Sequence, residues 1–111
     1  MNNPVIDQTV FTELQAAAGA DFVVELVDAF LEEAPTLLAE LKSAKETADA
    51  ASFQRAAHSL KSNGNTFGAP RFAALARELE FEGLDCETDK LTQLQALFDE
   101  AASALKALCD G

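Results

Sequence analysis

The chain has no tryptophan, no tyrosine, one histidine and two cysteines among 111 residues. Cys86 and Cys109 are too few and too far apart for a zinc site or a disulfide framework, and they read as free thiols in a reducing compartment. One histidine without clustered cysteine excludes an ordinary transition-metal site, so no metal ligands are expected. β-Branched residues are sparse while alanine, leucine and glutamate abound, which favours helix over strand. No apolar run approaches the roughly 18 residues of a membrane span. The opening "MNNPVIDQTV" lacks the basic start and apolar stretch of a signal peptide. A cytoplasmic protein is expected, and the starting Met suits a free-standing one. Basic charge is scarce as well: 8 Lys and Arg stand against 19 Asp and Glu, a net charge of −11. Nucleic acid and anionic membrane both require a basic footprint, so neither is expected as a partner.

What the chain does have is helical periodicity, within a length that suits one domain over residues 1–111. "DQTVFTELQAAAG" predicts a short helix capped by Asp7, with Ile6, Val10 and Leu14 in one stripe and Gly19 as its stop. It is expected to form a lid, residues 1–19, on a bundle spanning 21–109. From Asp21 an apolar stripe runs through Val23, Leu26, Val27, Phe30, Ala34, Leu37, Leu38 and Leu41. It keeps its phase across Pro35, which favours one kinked helix over two separate ones.

"ETADAAS" reads as a turn, with Asp49 or Ser52 able to cap a third helix from about Ser52 to Phe67. Pro70 can open the fourth, "RFAALARELEFE", burying Phe72, Leu75 and Leu79, with Phe81 as a further inward candidate. "GLDCETD" reads as a loop. The last helix, from Asp89 to about Cys109, offers Leu91, Leu94, Leu97 or Phe98, Ala101, Leu105 and Leu108. The expected fold is all-α: an antiparallel up-down four-helix bundle with a short additional N-terminal helix.

His58 lies in the third helix. On a helical wheel Ala57, Leu60 and Gly64 fall within about 40° of Phe53, and this is the buried seam. His58 lands about 140° away, among Gln54, Arg55, Lys61, Ser62 and Asn65. It therefore faces solvent. The plainest reading is an ordinary solvated face that happens to carry a histidine. The charge map argues for more: Ala50 to Arg77 contains no Asp or Glu, yet holds Arg55, Lys61, Arg71 and Arg77. At the chain's average frequency this stretch should hold about five acids. The sequence thus implies a locally basic surface around one exposed imidazole, suited to a dianionic group or an acidic partner.

Imidazole is nucleophilic near neutral pH while it still holds a proton on its other nitrogen, so it can accept a phosphoryl group and pass it on. Lys61, one turn on, can lie beside phosphate oxygens as a point charge. Nothing in the chain resembles a glycine-rich phosphate loop, and no Asp/Glu cluster near His58 could hold Mg²⁺. Donor and metal would come from another protein.

"AAHSLKSNGNTFGA" followed by "LARELE", with "FLEEAPTLLAELKSA" upstream, resembles the histidine-containing phosphotransfer (HPt) domain of bacterial phosphorelays from about Phe22 onward. That family's pattern is roughly H-x-L-K-G, then five residues, then G-A. Here His58, Leu60, Lys61, Gly68 and Ala69 match it. The resemblance implies that His58 is the phosphoacceptor, that Lys61 stabilises the phosphate, and that Gly68-Ala69 ends the site helix. Ser62 replaces the family's usual glycine, which leaves room for the docking partner. Transfer should persist with an altered partner preference, while Gly64, near the seam, would allow close helix packing.

The implied partner is a response-regulator receiver domain or a hybrid histidine kinase. Mg²⁺ would be in the receiver, and no cofactor would be bound by this chain. By geometry Gln54, Arg55, Ser59, Ser62 and Asn65 are docking-surface candidates, and Arg71 is a neighbour that could reach the same surface. A helical adaptor with an incidental histidine is the alternative. A dimeric kinase fragment is disfavoured because the helices suffice to close a bundle in a monomer.

Overall fold

In the computed structural model, residues 5–110 are described, and for Asp110 the backbone alone. Residues 1–4 of the expected lid, and residue 111, lie outside them. Five α-helices follow one another with short connections: α1 (Gln8–Ala18), α2 (Ala20–Thr47), α3 (Ala50–Thr66), α4 (Pro70–Glu82) and α5 (Thr88–Asp110). No strand occurs among the described residues.

Local chemistry sets the boundaries. Asp7 caps α1 by accepting from the backbone N–H groups of Thr9 and Val10. Asp49 caps α3 through Ser52, accepting from its backbone N–H at 3.1 Å and its hydroxyl at 2.7 Å. Each satisfies donors that a helix N-terminus leaves unpaired. Pro70 stands in the first turn of α4, where its missing N–H costs nothing. Pro35 lies inside α2, which runs on through it as one helix. Its exposed position places the lost backbone hydrogen bond beside solvent.

The helices form a ring. Each of α2 to α5 packs on its sequence neighbours and α5 closes back on α2, while α1 lies against α2. The core joins Val23, Val27, Phe30, Leu41, Phe53, Leu60, Phe72, Leu79, Leu94 and Leu105. At its centre Phe30 stacks on Phe67 at 5.1 Å and meets Phe72 and Phe98 edge-on. These geometries suit the ring quadrupole and tie α2, α4 and α5 to the end of α3. Leu97 and Phe98 both turn inward, Phe98 more deeply.

The inward expectation for Phe81 is overturned, since its side chain is 92% exposed. The stripe set by Phe72, Leu75 and Leu79 points elsewhere, and Phe81 lies on the outer face with Ala74 and Arg77. The stretch read as a loop contains a 3-10 turn, Gly83–Asp85, and it buries Cys86. Lys45 of α2 ties it down by donating to the carbonyls of Leu84 and Cys86 at 2.8 and 2.6 Å. Burial pushes the Cys86 thiol above its usual pKa.

Candidate functional site

The buried face of α3 consists of Phe53, Ala56, Ala57, Leu60 and Gly64. His58 therefore emerges on the opposite side, with 58% of its side chain exposed. Two glycines shape its surroundings. A β-carbon on Gly64 would lie 3.0 Å from the Ala73 Cβ and the Phe72 ring, so this glycine permits close approach of α3 and α4. Gly68 has φ +72°, and a β-carbon there would meet the Asp7 carbonyl oxygen and Val10 at 2.9 Å. The Gly68 carbonyl also accepts from the Asp7 N–H at 2.6 Å, which fixes the start of α1 against the end of α3.

That close approach brings in a residue the sequence reading missed. Glu80 of α4 places one carboxylate oxygen 2.7 Å from His58 Nδ1, while its other oxygen accepts from Lys61 Nζ at 2.7 Å. Glu80 is itself only 22% exposed. The Lys61 hydrogen bond, with a smaller contribution from His58, outweighs partial burial and holds the Glu80 carboxyl below its usual pKa. A signal existed in the chain: His58 stands ten residues before Gly68 and Glu80 eleven after Ala69. In an antiparallel helical hairpin such positions fall opposite one another.

The expected basic surface is corrected accordingly. The acid-free stretch in sequence is neutralised in space by acids from outside it. Glu80 meets Lys61, Glu100 of α5 lies 3.5 Å from Arg71, and Asp49 attracts Arg55. Arg71 is thus engaged with α5 rather than with the His58 surface. Charge neutrality around His58 comes from sharing one carboxylate, not from an absence of acid.

The docking candidates divide. Gln54, Arg55, Ser62 and Asn65 are exposed and Ser59 is half-buried. Arg55 and Ser59 line a groove of about 560 Å³ between α2 and α3, together with Leu37, Glu40 and Ser43. Arg55 turns toward Ser52, whose hydroxyl accepts from it at 3.4 Å. Lys61 leans the other way, toward α4. Among the described residues, no group of three or more His, Cys, Asp or Glu gathers as a metal site.

Chemically, the arrangement is one exposed ring with Nδ1 engaged by a carboxylate and an ammonium group one turn away. The donor at Nδ1 leaves Nε2 as the nitrogen with an available lone pair. A helical bundle displaying such a ring has the make-up of a phosphoryl carrier.

Comparison with known proteins agrees. The Hpt domain family model matches residues 25–104. The phosphorelay protein LuxU of Vibrio harveyi is 30% identical over 94 residues, covering 77% of this chain and 82% of that protein. The fold is also that of histidine-containing phosphotransfer protein B (HptB) from Pseudomonas aeruginosa PAO1. Its crystal structure matches with a TM-score of 0.88 at 24% identity, over 98% of this chain and 97% of that one. The chain belongs to the Hpt domain family. Its function is histidine phosphotransfer in a phosphorelay. No described helix is long and apolar enough to cross a membrane.

Proposed function

We propose that His58 is the phosphoacceptor, receiving a phosphoryl group at Nε2 from a receiver-domain aspartyl phosphate and returning it to another. The observation that carries this reading is the exposed His58 ring with Nδ1 held 2.7 Å from Glu80. A neutral ring that donates from Nδ1 presents the Nε2 lone pair to an incoming phosphorus atom. Lys61, one turn along α3, supplies positive charge near the transferring oxygens.

The chain acts as a carrier and the chemistry is completed by its partner. Among the described residues Glu80 is the one carboxylate bonded to His58 and Lys61, and Lys61 already neutralises it. A Mg²⁺ ion serving the reaction would therefore belong to the receiver. The docking face comprises the exposed Gln54, Arg55, Ser62 and Asn65 with the half-buried Ser59 beside the α2–α3 groove. Ser62, in place of the glycine usual at this position, tunes which receiver fits. The chain works as a cytoplasmic monomer between a hybrid kinase and a response regulator.

The test is direct. Incubation with a phosphorylated receiver domain and Mg²⁺ should place acid-labile phosphate on the wild-type chain and none on His58→Gln. Label that persists in the variant rejects the assignment.

A further inference from the structure

We infer that Glu80 keeps the phosphorylated His58 ring protonated at Nδ1 and thereby sets how readily the phosphoryl group leaves. The inference rests on the phosphoacceptor reading above and concerns the step that follows capture.

The Glu80 carboxylate, 2.7 Å from Nδ1, can only accept there, so the reactive ring is the tautomer with its proton on Nδ1 and its lone pair on Nε2. During transfer the Nε2 lone pair forms the N–P bond as the P–O bond to the donor aspartate breaks. The bonding electrons leave with the aspartate carboxylate. The ring becomes formally cationic and retains its Nδ1 proton, so no separate base is needed. Two fates are then open. If the proton is lost to water, onward transfer must expel an imidazolate, which is a poor leaving group. If the proton stays, a neutral imidazole departs and the phosphoryl group remains mobile.

The geometry favours retention. A carboxylate in hydrogen-bond contact stabilises the protonated ring, much as an aspartate steadies the imidazolium of a hydrolase triad. Lys61, bonded to the other oxygen, keeps that carboxylate ionised. The other charged groups nearby do not contact the ring. Arg55 turns to Ser52, and Arg77, three residues before Glu80 on α4, is exposed on the outer face. Glu80 is therefore a positioning residue whose charge, and not only its shape, acts on the reaction.

The charge-neutral, near-isosteric Glu80→Gln tests this. Wild-type and variant chains would be loaded with phosphoramidate, a small-molecule donor that needs no docking, and the lifetime of phosphohistidine followed at pH 8. The variant should hold its phosphoryl group roughly threefold longer or more, and pass it to a receiver domain correspondingly more slowly. In urea the two lifetimes should converge. Equal or shorter lifetimes in the folded variant overturn the inference while leaving His58 as the acceptor. Absence of label on the wild type, or label surviving in His58→Gln, instead rejects the acceptor reading itself.

A measurement on the wild type alone guards against a misfolded variant. By ¹⁵N NMR, phosphorylated His58 should keep its Nδ1 proton at a pH where the urea-unfolded phosphoprotein has lost it. Loss at the same pH in both states likewise overturns the inference.

Discussion

Gly64 and Ala73 set the spacing of α3 and α4: a β-carbon on the glycine would come within 3.1 Å of the Ala73 Cα. Backbone cannot retreat as a flexible side chain can. Gly64→Ala would gain about 1 kcal/mol of helix propensity, yet overpacking of a tight contact costs about 1–3 kcal/mol. We expect net destabilisation and a displaced α4. A lowered Tm, together with a changed His58 ring resonance, would register both. An unchanged resonance would show that the Glu80 contact does not depend on this spacing.

Lys61→Ala removes the ammonium group shared with Glu80. The side chain is 25% exposed and lies outside the buried seam, so far-ultraviolet circular dichroism should be unchanged. Phosphoryl transfer to His58 should slow by roughly tenfold or more, the range expected for loss of one positioned charge. A large loss of helicity would instead assign Lys61 a structural role.

Lys45 holds the segment before α5 through two carbonyl oxygens. Lys45→Met keeps the aliphatic stem and removes both donors. Hydrogen bonds from a charged group contribute about 1.5–3 kcal/mol each, less whatever water restores at this partly exposed place. We expect a lower urea midpoint and faster amide exchange around Leu84 to Cys86. Transfer should be undiminished, because Lys45 bonds to none of His58, Lys61 and Glu80.

Stability should fall on both sides of a neutral plateau. Glu80 is held below its usual pKa by Lys61 and then His58, and Asp49 by its bonds to Ser52. Their contributions are complete above the ordinary carboxyl range near pH 4 and are lost as pH drops through the lowered folded values. The Glu82 hydrogen bond raises Lys90, and burial raises the Cys86 thiol. Both groups hold their protons more firmly when folded, so their contributions are complete below the unfolded values and are lost as pH rises past them, from about pH 8.5 for the thiol. Urea midpoints from pH 3 to 10 would check the shape. In Glu80→Gln the acid limb should become shallower.

Much of this molecule was written in periodicity. The phase kept across Pro35, the capping residues Asp7 and Asp49, and Pro70 at the head of α4 are local features, governed by neighbours within a turn or two. The solvent-facing direction of His58 follows from the same rule, because the Phe53–Leu60–Gly64 seam leaves it no other side. Phe81 obeys it too: at about 100° per residue it lies roughly 180° from Phe72 and roughly 160° from Leu79, so periodicity itself turns it outward, and the inward expectation misapplied the rule.

What surrounds His58 was decided by tertiary structure. An acid-free run of sequence suggested a basic surface, but charge acts through space: helix packing brings Glu80 to Lys61 and Glu100 to Arg71, while Asp49, the cap of α3, lies within two turns of Arg55 on that helix. Residues far apart in the chain become partners only when two helices meet at a fixed spacing and rotation. One-dimensional pattern therefore determined which helix faces are apolar and where the imidazole points, while packing chose the carboxylate that holds it.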